Sequence, residues 1–307
     1  MKIKTTNEYS RLRSVIVGTA INANWPSQDD EFRKMEETTL WKHTPVPSGP
    51  VEQSIIEHTE RELEGLCNIF VQHGVEVHRP GTMDYQAFDG MYGYCPRDRL
   101  LVIDDVIVDC NMRFPVRQQE IESYSYLPEF NFITIDDPEV VFDTANVLRH
   151  NDDLLYLVSD SGNLKGAEWL QQNFPDKKVH ILDNLYSGVH IDSTITVLNE
   201  NTVALNANRV SADNLPAIFN GWDIIWVTEN LIEPTGFYKY PYASKWMALN
   251  MVSIDSNTVV VDRDQHKIIQ ELEKRNFTVI PHKLTHSRTL GGGFHCCTLD
   301  LWREDVD

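Results

Sequence analysis

Residue types capable of covalent chemistry are concentrated near one end of the chain. Leu290 to Asp300 reads Leu-Gly-Gly-Gly-Phe-His-Cys-Cys-Thr-Leu-Asp, with adjacent thiols at Cys296 and Cys297. Consecutive glycines let backbone come close to a bound molecule, because no Cβ holds it off. A thiol at the end of such an approach suits a nucleophile whose substrate lies along the backbone. The same letters also describe a glycine bulge entering an edge strand, with two cysteines as small core side chains. The stretch alone does not separate these readings.

A nucleophilic thiol needs a base and an acid to orient that base. Polar clusters occur at Tyr94-Cys-Pro-Arg-Asp98, Phe142-Asp-Thr-Ala-Asn146, Gly188-Val-His-Ile-Asp-Ser-Thr194 and Ala243-Ser-Lys-Trp246. His190 with a cysteine and an aspartate makes such a set. Further acids in one pocket are costly unless a cation binds there. A guanidinium is such a cation, planar, permanently charged and matched to carboxylates by paired hydrogen bonds.

The elements that must bring these clusters together recur along the chain. Leu12 to Gly18 reads as a buried strand, and Val51 to His73 as an amphipathic helix with Ile55, Ile56, Leu63, Leu66, Cys67 and Phe70 on one stripe. Gly74 ends that helix, and Val75 to His78 is a second strand. Asn22 to Gly49 is polar and reads as a long loop with at most one short helical segment. Four hairpins follow, around Leu100–Val108, Arg149–Val158, Val197–Leu205 and Ser253–Val261, each with polar turn residues between β-branched runs. Helices expected over 163–174, 212–220 and 265–276 each lead to a lone strand. The turns fall about fifty residues apart, a spacing that favours a radial assembly over one open sheet. The first strand–helix–strand segment makes a fifth unit, completed by the strand around Cys296, which is how a propeller avoids an open edge. No Pro/Gly/Ser linker divides the chain, so residues 1–307 are expected to form a single domain.

Composition excludes several classes. The 307 residues are 41% apolar and carry a formal charge of −19, which argues against a phosphate-tracking nucleic-acid binder. Five cysteines, an odd number without Cys-x-x-Cys spacing, argue against a disulfide framework and a zinc site, and for a reducing compartment. No apolar leader or membrane-length segment is present, so a cytoplasmic protein with no membrane partner is expected. Nothing calls for a metal or organic cofactor.

Gly291-Gly-Gly-Phe-His-Cys296, His190-Ile-Asp-Ser-Thr, Phe142-Asp-Thr-Ala-Asn and Pro96-Arg-Asp98, in that relation along the chain, resemble the glycine amidinotransferase family. So do Asn7-Glu-Tyr with Ser14-Val-Ile-Val-Gly, and the run from Cys67 to Pro80. The resemblance extends from about residue 6 to the C-terminus. It implies a five-bladed α/β-propeller of ββαβ-type repeats, which agrees with the repeat count, and a homodimer. It implies that Cys296 attacks the guanidino carbon of L-arginine, that His190 is the acid/base and that Asp143 orients it. By the same resemblance Asp98 and Asp192 grip the guanidinium, Arg209 holds the substrate's α-carboxylate, and Ser244 contacts that amino-acid end. The product would be ornithine and an amidino group carried to a small amine, with glycine the first expectation. A hydrolase of the same superfamily, with water in place of the amine, and a non-catalytic arginine-binding protein are the competing classes.

The chain departs from the family pattern at Cys297, where the family has Trp, and at Ala243, Asn146 and Val189 in place of Ser, an acid and Met. The segment between Arg117 and Glu139 is shorter than in the vertebrate enzymes. These changes leave the chemistry in place and the acceptor open. Strand alternation would send Cys296 and Cys297 to opposite faces, so Cys296 is expected to react and Cys297 to pack.

Overall fold

The apolar runs become strands, and the acidic or amide residues between them become tight turns. The computed structural model describes residues 1–30, 33, 47–233 and 243–304. Its first unit comprises β1 (Leu12–Val17), α1 (Gln53–Gln72) and β2 (Glu76–His78), and the second β3 (Leu100–Ile103), β4 (Val106–Asp109) and β5 (Phe132–Thr134). The third contains β6 (Val147–His150), β7 (Asp153–Leu157), α2 (Leu164–Asn173) and β8 (Lys178–Leu182). The fourth contains β9 (Ile195–Val197), β10 (Thr202–Asn206) and β11 (Asp223–Val227). The last is β12 (Val252–Asp255), β13 (Thr258–Asp262), α3 (His266–Glu273) and β14 (Thr278–His282), followed by the closing strand β15 (Thr298–Arg303).

These strands pair as five three-stranded sheets, with β15 returning to sit beside β1 and complete the first. The middle strand of each sheet runs antiparallel to one neighbour and parallel to the other. The result is the five-bladed α/β-propeller. Two hairpins turn on residues in the left-handed region, Asp104 (φ 52°) and Asn151 (φ 58°), a conformation that Asp and Asn tolerate better than most side chains. The apolar stripe of α1 is buried as its spacing predicts, and Cys67 lies in that core.

Two expectations need adjustment, and a third falls largely outside the described residues. Much of the loop at Asn22–Gly49 lies outside the described residues; at its ends, Asn24–Trp25 pairs with Gly49–Pro50. The helix expected over 212–220 is only a 3-10 turn, Ala217–Phe219. Pro216 removes a donor and forces its predecessor out of the helical region, which the apolar spacing alone does not register. Cys296 and Cys297 are not in a strand: β15 begins at Thr298, and the two thiols sit in the hydrogen-bonded turn before it, where Cys297 N–H donates to Gly293 O at 3.0 Å.

Charges are buried at the centre of the ring. Arg149 donates to both oxygens of Glu8 (2.8 and 2.9 Å) and to Asp300 at 3.1 Å. Arg97 reaches Asp300 at 2.6 Å, and Arg303 reaches it at 2.7 Å. Burial works against ionisation of Asp300, but Arg303, Arg97 and Arg149 outweigh it and hold the carboxyl well below its usual range. Five side chains from four segments are thereby locked together, and Arg97 ties them to the Cys296 turn by donating to His295 O at 2.8 Å and Thr298 O at 2.9 Å.

Candidate active site

The Cys296 turn is shaped by what surrounds it. A Cβ on Gly292 would lie 2.5 Å from the Cys95 sulfur and 2.8 Å from Cys296 Cβ, and one on Gly293 would lie 2.7 Å from Asn250 Cβ. Glycine is required at both positions by close approach. The two thiols diverge: the Cys297 sulfur turns back to Phe294 O at 3.7 Å within the core, whereas the Cys296 thiol donates to Asp192 Oδ2 at 2.9 Å.

His190 enters from the loop before β9. Its backbone is left-handed, at φ 62°, a conformation uncommon for non-glycine residues but one that histidine adopts more readily than most. Nε2 faces Asp143 Oδ2 at 3.0 Å, while Nδ1 lies 3.6 Å from Asp98 Oδ1. Asp143 is fixed in turn by the Arg113 backbone N–H, 3.1 Å from its Oδ1. The Cys296 sulfur, a His190 ring nitrogen and an Asp98 oxygen all lie within 4.8 Å of one another. Cys296, His190, Asp143, Asp98 and Asp192, expected from separate stretches of sequence, are therefore gathered in one buried centre. Among the described residues, Asp98, His190 and Cys296 also form the one group with the donor types and spacing for a soft divalent ion.

The electrostatics follow from burial and neighbours. Burial disfavours the imidazolium, yet the charge of Asp98 and the hydrogen bond to Asp143 outweigh it and raise the His190 pKa well above the ordinary value. The Cys296 thiol is pushed well up by the neighbouring Cys95 thiol, by burial and by the negative charge of Asp192, with His190 opposing. For Asp192, burial is overcome by the hydrogen bond and charge of His295 and by His190, leaving it at about 2. Asp98 is raised, chiefly by burial, although His190 and Arg117 pull it down. Its Oδ2 accepts from Arg117 at 2.8 Å, but among the described residues its buried Oδ1 has no hydrogen-bond partner.

Arg209 and Ser244 stand apart from this cluster. Arg209 donates to Ser193 Oγ (2.8 Å) and Thr194 Oγ1 (2.6 Å), its guanidinium lies 3.5 Å from the Tyr186 ring centroid, and it lines an open cavity of about 580 Å³. Ser244 caps the 3-10 helix Lys245–Leu249 by accepting the Trp246 N–H at 3.3 Å.

Sequence reasoning missed three neighbours of the site. Arg117, on the 3-10 helix Pro115–Tyr124, forks onto Glu120 at 2.8 and 2.9 Å while holding Asp98. His295 bridges Asp192 (3.2 Å) and Glu8 (3.3 Å). Asn250 ends the helix that Ser244 caps and touches Cys296 with both ends of its amide. His295 lies inside the glycine-rich motif and was visible there, whereas Arg117 and Asn250 sit in runs with no motif.

Fold and site define a five-bladed α/β-propeller with a thiol–imidazole–carboxylate centre. No family model matches the chain. Inosamine-phosphate amidinotransferase 1 of Streptomyces griseus is 37% identical over 98% of this chain and 97% of its own length. The mitochondrial glycine amidinotransferase of Xenopus tropicalis is 28% identical over 97% of this chain and 82% of its own. A solved structure of the inosamine-phosphate amidinotransferase from Streptomyces griseus superposes with a TM-score of 0.93 at 36% identity, covering 99% of this chain and 97% of that one. The chain belongs to the amidinotransferase family, and it is a transferase of amidino groups.

Proposed function

We propose that residues 1–307 act as one catalytic unit that moves the amidino group of L-arginine, through an amidino-cysteine at Cys296, to an acceptor amine, releasing L-ornithine. The observation that carries this reading is the pair of buried carboxylates at the Cys296 sulfur, one with an oxygen that has no hydrogen-bond partner among the described residues. A guanidinium seated on Asp98 and Asp192 would satisfy that oxygen with a charge-assisted bond. It would also cancel the negative charge that keeps the thiol protonated, so that substrate binding itself favours the thiolate.

As the guanidinium binds, the Cys296 thiol releases its proton to solvent, and the resulting thiolate adds to the guanidino carbon, forming a tetrahedral adduct. Collapse breaks the bond to the substrate's side-chain nitrogen, and protonated His190, oriented by Asp143, gives that nitrogen its proton. Ornithine leaves. The incoming amine loses its proton to the now neutral His190 and displaces the sulfur, which returns His190 to its protonated form and Cys296 to the thiolate. Arg209, at the rim of the open cavity, pairs with the α-carboxylate of arginine, and Ser244 contacts the same end.

The acceptor is a primary amine. Glycine is the expectation from the sequence resemblance; the greater similarity to enzymes named for an inosamine phosphate supports an aminocyclitol phosphate ahead of it. Water as acceptor would make the protein an arginine hydrolase, a reading that full-length similarity to amidinotransferases disfavours. The test is incubation with arginine alone and with glycine, lysine or an inosamine phosphate, quantifying ornithine, citrulline and ammonia. Ornithine limited to about one equivalent per protein without acceptor, and sustained with one of them, is the expected result. Citrulline or ammonia released catalytically without acceptor would overturn it.

A further inference from the structure

The Asn250 side chain meets Cys296 twice. Its Oδ1 accepts the Cys296 backbone N–H at 3.0 Å, and its Nδ2 lies 3.0 Å from the Cys296 sulfur. The orientation of the amide follows from the chemistry: a backbone N–H can only donate, so the oxygen must face it and the NH₂ must face sulfur. The residue is 1% exposed, and its own carbonyl accepts the Phe294 N–H at 3.0 Å. Gly293 has no Cβ where Asn250 packs. The amide is therefore held from both sides and cannot turn away.

We propose that Asn250 is a further catalytic residue, a neutral donor that stabilises the Cys296 thiolate. The surroundings make such a donor necessary. Among the described residues, the titratable groups around the sulfur are Asp192, Asp98, His190, Cys95, Tyr94 and Cys297, with His295 on the same Asp192 oxygen that accepts the thiol. The two aspartates oppose a negative sulfur, the neutral thiols and phenol do not compensate for them, and His190 favours it. When the S–H proton is lost to solvent, the sulfur keeps the Nδ2–H bond. That bond weakens as the sulfur's electron pair forms the S–C bond to the guanidino carbon. It returns when the acceptor amine breaks the S–C bond and the pair goes back to sulfur, so Asn250 serves both half-reactions. A preorganised amide donor of this kind acts where charge develops.

The inference rests on the amidino-transfer reading, but its test does not require arginine. The pH dependence of Cys296 alkylation by iodoacetamide, followed by peptide mass spectrometry, reports the thiolate directly. Asn250→Ala is expected to move the alkylation midpoint up by about one pH unit or more and to lower kcat by about 100-fold, with little change in the KM for arginine. Asn250→Asp is of equal size and keeps an oxygen for the Cys296 N–H while replacing the donor with an acid. A wild-type midpoint and kcat in this variant would show the donor to be dispensable, and that result would overturn the proposal. So would an unchanged midpoint in Asn250→Ala. A shifted midpoint in a protein that does not turn over arginine would leave the thiolate role standing and remove the transfer reading instead.

Discussion

Cys296 and Cys297 are neighbours with different fates, and the difference is environmental. One sulfur faces Asp192 and lies within reach of His190; the other is packed against Phe294 O in the core. Cys296→Ala is therefore expected to abolish turnover and the arginine-derived mass adduct, whereas Cys297→Ala retains both. Equal loss of activity from both substitutions would sink the assignment of the nucleophile. The imidazole carries its own prediction. The charge of Asp98 and the hydrogen bond that His190 donates to Asp143 hold the His190 pKa above its ordinary value against burial, and in the proposed mechanism protonated His190 is the form that releases ornithine. Activity should thus fall on the alkaline side as His190 loses its proton. Asp143→Asn, lacking the charge, should move that limb to lower pH and reduce kcat by about 100-fold or more. A pH–rate profile whose alkaline limb did not move would contradict the orienting role.

The elements around the site owe their precision to close approach. Gly293 passes 2.7 Å from Asn250 when a Cβ is built on it, and the same amide grips Cys296. Gly293→Ala should push Asn250 off the sulfur, costing about 1–3 kcal/mol of stability through overpacking but about 100-fold in kcat through misplacement. Chemical denaturation and steady-state kinetics on the same preparation measure the two effects. A stability loss without a kinetic one would mean that the amide and the thiol are not coupled through this turn. The 3-10 helix Pro115–Tyr124 plays a similar supporting part for Asp98, whose Oδ2 it secures through Arg117.

The whole ring is held at its centre by Glu8, Arg97, Arg149, Asp300 and Arg303. Such a network is poor evidence for net stability, since desolvation offsets much of the attraction, but breaking it strands a buried charge. Glu8→Gln or Asp300→Asn should cost about 3–5 kcal/mol in denaturant unfolding. The pH sign follows from the lowered folded-state pKa of both carboxyls, which the arginines impose against burial, with His295 also acting on Glu8. Their contribution is fully present above the unfolded-state value of about 4 and is lost as pH falls below it. Wild type should therefore lose stability steeply in acid, and Asp300→Asn less steeply. Identical slopes would deny the network that role.

What the sequence by itself determined was what local chemistry governs. β-branched runs around polar turns, recurring at regular spacing, specified the hairpins and the number of blades. The apolar stripe specified α1, and the residue types within a few short motifs named the residues of the candidate site. Where reading by pattern went wrong, at the Pro216 turn and at the supposed strand through Cys296, the deciding contacts were a missing donor and a turn packed against distant residues. Tertiary structure alone decided that Asn250, Arg117 and Glu8 belong to this site. Asn250 lies 46 positions from Cys296 and Glu8 lies 287 from His295. No periodicity or propensity links residues so far apart. Only closing the ring, with β15 returning to β1, brings their polar atoms within bonding distance and buries them there.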